Sequence, residues 1–150
     1  MRFVLENLAI GSYKDALNPP VPITALLNVA SERDVETERL YHKVPLIDMQ
    51  PVSREHLNEA VEWIRDHISQ HKIMVFCNAG IGRSPSVVVG YICCFLGCSF
   101  DAAVEFVATR KPDIYLLPGL METIIEIKST LLQTDDALTR AGSSYVRSIR

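Results

Sequence analysis

Residues 72–97 contain a strand, a loop and a helix in direct succession, and this order restricts the folds that the chain can adopt. Lys72–Phe76 is a short β-branched and aromatic run, which predicts a buried strand. Residues 84–96 are mostly apolar and precede Gly97, which predicts a buried helix that ends at that glycine. A buried strand that leads through a short loop into a buried helix indicates an α/β domain, in which ligands bind at the carboxyl end of a strand.

The rest of the chain alternates between strands and helices in the same way. Apolar runs predict strands, and apolar residues at helical spacing predict helices. The predicted strands cover residues 23–30, 41–47 and 72–76, and the predicted helices cover residues 53–70, 84–96, 99–110 and 118–133. We therefore expect one domain, residues 1–133, with a central, mostly parallel sheet of four or five strands and helices on both faces. Residues 134–150 are polar and are expected to form a flexible tail.

Charge and composition narrow the classes of partner. The net charge is −3, and lysine and arginine are scattered along the 150 residues, so we expect no binding to nucleic acid. No apolar run reaches the ~18 residues of a membrane span, and residues 1–12 make a poor signal peptide. We therefore expect a cytoplasmic protein that does not contact membranes, and we expect it to be a monomer. Any anion that it binds must be held by a local site.

One of the four cysteines has a different setting from the others. Cys93, Cys94 and Cys98 share one apolar stretch, so they are interpreted as buried apolar side chains. Cys77 instead follows a predicted strand directly and opens a glycine-containing loop. No pair of cysteines has metal-site spacing with matching histidines, and no Gly-x-x-x-x-Gly-Lys nucleotide loop is present, so neither a metal nor a cofactor is expected.

The loop after Cys77 has the features of a phosphate site. Gly80 and Gly82 allow the backbone to curl tightly and to turn its N–H groups inward. The following helix adds free N–H groups and a partial positive charge, and Arg83 can donate two parallel hydrogen bonds to phosphate oxygens. The same field favours an ionised thiolate at Cys77. The loop is therefore predicted to bind a phosphate-like anion above a nucleophilic sulfur.

The stretch CNAGIGRSPS, residues 77–86, resembles the signature loop of the cysteine-dependent protein tyrosine phosphatases, in which arginine and serine follow the cysteine after five residues. The segments NLAIGSYKDAL, ITALLNVA, VPLID and FVATRKPDIYLLPG are similar to further parts of the small dual-specificity branch, so the resemblance covers about residues 5 to 130. It implies a dual-specificity phosphatase domain that hydrolyses phosphotyrosine and phosphoserine or phosphothreonine in proteins.

The resemblance also implies a role for each site residue. Cys77 attacks phosphorus and forms a phosphocysteine intermediate, and Ser84 donates a hydrogen bond to the departing thiolate or caps the helix. Asp48, which lies 29 residues before Cys77, is the general acid and then the base that activates water, with Asp34 and Asp113 as alternatives. The oxygens of the phosphoryl group are held by the backbone amides of Asn78, Ala79, Gly80, Ile81, Gly82 and Arg83 and by the Arg83 guanidinium.

Two departures from the family pattern keep other functions open. Phe76 stands where the family usually has histidine before the cysteine, which is expected to slow catalysis, and the asparagine often found after the Arg-Pro segment is replaced in YLLPG, residues 115–119. A glucan phosphatase that acts on phosphorylated glycogen or starch is one alternative. A pseudophosphatase that binds phosphoproteins without hydrolysing them is the other.

Overall fold

The computed structural model describes residues 1–133, and the predicted tail of residues 134–150 lies outside the described residues. Within residues 1–133, five strands form one sheet in the order β1-β2-β5-β3-β4. The strands are β1 (Arg2–Leu5), β2 (Leu8–Ser12), β3 (Ala25–Asn28), β4 (Leu40–Lys43) and β5 (Ile73–Cys77). Only the β1–β2 pair is antiparallel, so the predicted mostly parallel sheet is confirmed.

Among residues 1–133 all four predicted helices are present, together with one short helix that was not predicted. They are α1 (Tyr13–Leu17), α2 (Arg54–His67), α3 (Arg83–Leu96), α4 (Phe100–Arg110) and α5, which covers residues 120–133. Ser53 and Ser99 cap α2 and α4, and each side chain accepts a hydrogen bond from the amide three residues later. Gly97 ends α3 in the left-handed conformation, with φ 73°. Hydropathy did not predict β1, β2 or α1, because each is short and their apolar residues do not form a long run.

Apolar side chains form one cluster on each face of the sheet. The larger cluster includes Val75 and Cys77 of β5 together with residues of α2, α3, α4 and α5. The smaller cluster contains Met74 and Phe76 of the same strand and Ala16 of α1. Helices therefore cover both faces, but among residues 1–133 the second face is covered by only one short helix. The alternation along β5 directs Cys77 and Phe76 into opposite clusters.

Three of the four cysteines lie outside the loop region, and the structure revises their predicted burial. Cys93 is 1% exposed, as expected for an apolar side chain in the core, and burial raises the pKa of its thiol. Cys94 and Cys98 are only half-buried, because α3 leaves the core in its last turn. All four cysteines are free.

The centre of the sheet places the end of β5 between two parallel neighbours. Ser12 of β2 pairs with Cys77, and Asn28 of β3 pairs with Phe76. The loop that follows Cys77 therefore leaves the carboxyl edge of the sheet at its middle, where parallel α/β folds bind ligands. Within residues 1–133 no helix is long and apolar enough to cross a membrane.

Candidate active site

Both glycines of the loop between β5 and α3 occupy positions that exclude a side chain. Gly80 has φ +75°, and a Cβ there would lie 2.7 Å from the carbonyl oxygen of Gly11. Gly82 is the N-cap of α3, and a Cβ there would overlap the ring of Tyr115. The glycines therefore allow the loop to pack closely against β2 on one side and against an aromatic ring on the other.

The carbonyl groups of the loop face its surroundings, and its amides are left unpaired. The Asn78 carbonyl accepts a hydrogen bond from Tyr13 N at 3.1 Å, and the Ile81 carbonyl accepts one from Tyr115 N at 2.8 Å. Within the described chain, the amides of residues 79–82 donate to no protein group. A run of unpaired N–H groups in front of a helix N-terminus is the arrangement that binds tetrahedral oxyanions.

The sulfur of Cys77 and the hydroxyl of Ser84 are in contact. Sγ and Oγ lie 3.2 Å apart, and both side chains are buried, Cys77 being 2% exposed. Gly82, not Ser84, occupies the N-cap position of α3, and no side chain caps that helix. The helix-capping alternative for Ser84 is therefore wrong, and its hydroxyl instead bonds the sulfur.

Phe76 is completely buried on the side of the sheet away from Cys77. It packs in the smaller cluster beside Ala9, Ile23 and Met74. An imidazole in its place would bury ring nitrogens among apolar side chains, which is costly unless they find hydrogen-bond partners. The phenyl ring thus fits the local packing of this chain.

Arg83 is the most deeply buried charged side chain of the site, with 2% exposure. Its Nη1 and Nη2 donate to the two carboxylate oxygens of Glu32 at 2.5 and 2.7 Å, and Nη1 also donates to the Leu46 carbonyl at 3.1 Å. Among residues 1–133, buried Nε has no hydrogen-bond partner. A guanidinium has five N–H donors in a planar fork, so the Nε–Nη2 edge retains two parallel donors, which is the geometry that phosphate prefers.

Glu32 reaches Arg83 because hydrogen bonds hold the backbone of the loop after β3 on both sides of Glu32. Buried Asn28 donates from Nδ2 to the Arg33 carbonyl at 2.7 Å, and its Oδ1 accepts from Ala30 N at 2.9 Å. Lys43 Nζ donates to the carbonyls of Ser31 and Arg33 at 3.2 and 2.9 Å. Sequence reasoning missed Glu32, since it lies 51 residues from Arg83 in a charged segment that resembles any exposed loop.

Asp48 is brought to the same edge of the guanidinium. Its Oδ1 lies 3.9 Å from Arg83 Nε, and the side chain is 46% exposed. The two alternative acids pair with lysines instead, Asp34 with Lys43 at 2.7 Å and Asp113 with Lys111 at 2.8 Å. Of the three candidates, Asp48 is the one whose carboxylate lies beside Arg83.

Tyr115 is a further residue of the site that sequence reasoning did not identify. Its hydroxyl donates to Asp48 Oδ1 at 2.6 Å. This hydrogen bond, with burial and the negative charges of Asp48 and Cys77, raises the pKa of Tyr115 to about 12. The pKa of Arg83 is also raised, first by its hydrogen bond to Glu32 and further by the charges of Cys77 and Asp48. The side chains of Glu32, Asp48, Cys77, Arg83 and Tyr115 therefore share one electrostatic environment.

Known proteins resemble this chain in sequence and in fold. The family model described as dual specificity phosphatase, catalytic domain, matches residues 8–130. The chain belongs to the dual specificity phosphatase family. Dual specificity protein phosphatase 8 is 32% identical over 137 residues in Homo sapiens and 30% identical over 146 residues in Mus musculus, covering 85% and 88% of this chain. The chain spans 22% of the length of each of these relatives.

Solved dual specificity phosphatases share the fold. The crystal structure of human DUSP28 superimposes with a TM-score of 0.74 at 19% identity, covering 89% of this chain and 99% of that chain. Among residues 1–133 of this dual specificity phosphatase domain, no group of three or more histidine, cysteine, aspartate or glutamate side chains could hold a metal ion.

Replacing Glu32 with glutamine is expected to lower the free energy of unfolding by about 1 kcal/mol near neutral pH. The Glu32 side chain is 48% exposed, so solvent screens its ion pair with Arg83. The pair therefore contributes less to the free energy of unfolding than the lowered pKa of Glu32 alone would imply. The hydrogen bond to Arg83 lowers the pKa of Glu32 from 4.5 to about 2. Its stabilisation is therefore present above pH 4.5 and is lost as the pH falls towards 2. Urea denaturation at several pH values measures this difference.

The control for this measurement is Glu122→Gln, because Glu122 is exposed on α5 and forms no ion pair within the described chain. The control should denature like the wild type at every pH. A stability difference for Glu32→Gln that grows as the pH falls would contradict the ion pair with Arg83.

Proposed function

We propose that this protein hydrolyses phosphomonoesters of proteins, namely phosphotyrosine and phosphoserine or phosphothreonine, through a phosphocysteine intermediate on Cys77. The observation that carries the proposal is the buried Nε of Arg83, which has no hydrogen-bond partner in the described part of the chain and lies 3.9 Å from Asp48 Oδ1. Its guanidinium and the unpaired amides of residues 79–82 surround the position where a phosphoryl group would meet the Cys77 sulfur. Membership of the dual specificity phosphatase family supports the same chemistry.

In the first step the Cys77 thiolate attacks phosphorus, so the S–P bond forms while the bond to the leaving oxygen breaks. The loop amides and the Nε–Nη2 edge of Arg83 hold the three remaining oxygens as negative charge develops on them. The proton of Asp48 passes to the leaving oxygen, which departs as an alcohol or a phenol. Glu32 supports this step, because it keeps the other edge of the guanidinium occupied and so fixes its orientation.

In the second step water cleaves the S–P bond. The Asp48 carboxylate accepts a proton from the water as its oxygen bonds phosphorus, and the sulfur leaves as a thiolate. The Ser84 hydroxyl, 3.2 Å from the sulfur, is placed to donate a hydrogen bond to that thiolate. Phosphate then leaves, and the enzyme returns to its starting protonation state. Neither step requires a metal or a cofactor.

The surroundings of the loop support a protein substrate. Asn78, Ala79 and Ile81 carry no charge, so the loop offers no lysine for the additional phosphates of an inositol lipid. Ile47 and Met49 flank the acid and are 64% and 67% exposed, which places apolar surface at the rim of the site for contacts with a polypeptide. Turnover, rather than binding alone, is supported by the joint placement of nucleophile, arginine and acid. We also propose a cytoplasmic location, because an unoxidised catalytic thiol needs a reducing compartment.

Replacing Asp48 with asparagine is expected to lower kcat/KM for a phosphotyrosine peptide by about 10²- to 10³-fold, because the leaving phenoxide must then depart without a proton. The loss should be smaller for p-nitrophenyl phosphate, whose leaving group is stable as an anion. Steady-state kinetics on both substrates measure the effect, and phosphate release from phosphorylated amylopectin tests the glucan alternative in the same assay.

The two rejected acids provide matched controls for this substitution. Asp34→Asn and Asp113→Asn remove exposed carboxylates that pair with lysines, so both proteins should retain the wild-type kcat/KM within about twofold. A loss in either control as large as that in Asp48→Asn would show that the acid has been misassigned. Faster release of phosphate from amylopectin than from the peptide would overturn the protein substrate.

A further inference from the structure

We propose that Tyr115 is the positioning residue of the general acid and that it selects which oxygen of Asp48 carries the proton. The inference rests on the proposed function, in which Asp48 protonates the leaving oxygen. The Tyr115 hydroxyl donates to Asp48 Oδ1 at 2.6 Å, a short O–H···O hydrogen bond to a carboxylate. Tyr115 and Asp48 are 67 residues apart, so this contact exists only in the folded protein.

The two carboxylate oxygens of Asp48 have different surroundings. Oδ1 accepts from the Tyr115 hydroxyl and from Met49 N at 3.0 Å, and it is also the oxygen nearest to Arg83 Nε. Within residues 1–133, Oδ2 accepts no hydrogen bond. Since two donors already point at Oδ1, a proton on that oxygen would be repelled by the hydrogens of both donors. The proton of the acid form therefore resides on Oδ2, and Oδ2 donates it to the leaving oxygen.

The position of the Tyr115 hydroxyl is set by the phosphate loop itself. Tyr115 N donates to the Ile81 carbonyl at 2.8 Å, and the ring packs against Gly82 so closely that no Cβ fits between them. Asp48, by contrast, lies in an exposed turn whose neighbour Met49 has a positive φ of 60°. A half-exposed aspartate in such a turn has little packing to hold its rotamer. Tyr115 therefore couples the orientation of the acid to the loop that binds the phosphoryl group.

The charge state of Tyr115 suits this task. Its pKa of about 12 keeps the hydroxyl protonated at any pH at which the enzyme would be assayed, so it remains a donor in both steps. A donor to Oδ1 serves the protonated acid and also the carboxylate that later accepts a proton from water. Within residues 1–133 the Tyr115 hydroxyl bonds the Asp48 carboxylate, whereas the hydrogen-bond partner of the Cys77 sulfur is the Ser84 hydroxyl. We therefore expect Tyr115 to act through Asp48.

The test is the dependence of kcat/KM on the leaving group in Tyr115→Phe, which keeps the ring against Gly82 and removes only the hydroxyl. The parameter kcat/KM reports the reaction as far as departure of the leaving group. We expect a loss of about 10-fold for phenyl phosphate, whose leaving group needs a well-placed proton, and of less than about threefold for p-nitrophenyl phosphate. The ratio between the two substrates in one sample does not depend on the fraction of folded protein.

Two further variants separate a positioning role from a structural one. Tyr91→Phe makes the same change on α3, away from the acid, and should leave the substrate ratio at the wild-type value. In the double variant Asp48→Asn/Tyr115→Phe, removal of the hydroxyl should cause no additional loss beyond that of Asp48→Asn, because the group through which Tyr115 acts is already absent.

The possible outcomes distinguish this inference from the proposed function. An equal loss on both substrates, no loss on either, or an effect of Tyr115→Phe that persists unchanged in the Asp48→Asn background would overturn the role of Tyr115 while leaving Asp48 as the acid. If Asp48→Asn itself shows the wild-type substrate ratio, the assignment of the acid fails, and the role of Tyr115 fails with it. A raised ratio in Tyr115→Phe that vanishes in the double variant supports the proposal.

Discussion

Serine in place of Cys77 is expected to lower the rate of p-nitrophenyl phosphate hydrolysis by at least about 10⁴-fold. A hydroxyl is far less acidic than a thiol and has no general base beside it here, since the partner of Cys77 is the hydroxyl of Ser84. Without an ionised nucleophile the phosphoenzyme cannot form. Rapid acid quenching with ³²P-labelled substrate should recover labelled wild-type protein and unlabelled Cys77→Ser protein.

The anion site should survive the same substitution, because the amides and the guanidinium are unchanged. Tungstate should therefore raise the thermal unfolding midpoint of Cys77→Ser as it does that of the wild type. Cys98→Ser, which changes a half-buried cysteine outside the loop, is the matched control and should keep its activity within about twofold. If Cys77→Ser turns over substrate as fast as the wild type, the phosphocysteine mechanism is wrong, and the protein is a binding module or uses other chemistry.

Lysine in place of Arg83 should lower kcat/KM by about 10³-fold, although the positive charge is kept. The guanidinium makes three hydrogen bonds to Glu32 and Leu46 through Nη1 and Nη2, and its Nε–Nη2 edge still has two parallel donors. An ammonium group is a single point and cannot hold both the carboxylate and a phosphoryl group in a fixed plane. Steady-state kinetics with p-nitrophenyl phosphate and a phosphotyrosine peptide should show the loss on both substrates.

An equal loss of kcat/KM on both substrates is the result that distinguishes the role of Arg83 from that of the acid. In the proposed mechanism the arginine contacts the phosphoryl group, which every substrate shares, whereas Asp48 contacts the leaving oxygen, which differs between substrates. Arg110→Lys, at the exposed end of α4, makes the same chemical change away from the loop and should have little effect on kcat/KM. Retention of more than about a tenth of the activity by Arg83→Lys would mean that the loop amides alone bind the phosphoryl group.

Local signals in the sequence were sufficient to predict the central part of the fold. Three features can each be recognised from a few consecutive residues: the apolar run before Cys77, the glycines of the loop, and the apolar helix that ends at Gly97. Ser53 and Ser99, which cap α2 and α4, are also local signals, because N-capping joins a side chain to an amide three residues later. β1, β2 and α1 were not predicted from hydropathy, since the apolar residues of β1 and β2 form groups of only three, at 3–5 and 8–10, and α1 is a single turn of five residues.

The sequence alone predicted the anion-binding loop with its candidate nucleophile and acid, because Cys77, the loop and Arg83 are contiguous and Asp48 follows an apolar run. Only the tertiary structure revealed Glu32 and Tyr115, which reach the site across 51 and 67 residues from their partners. A hydrogen bond forms only when the fold brings donor and acceptor within about 3 Å of each other. For residues far apart in the sequence, a local pattern of residue types does not predict that distance. Consecutive residues were therefore enough to identify the loop, whereas tertiary packing decided how the side chains of Arg83 and Asp48 are oriented.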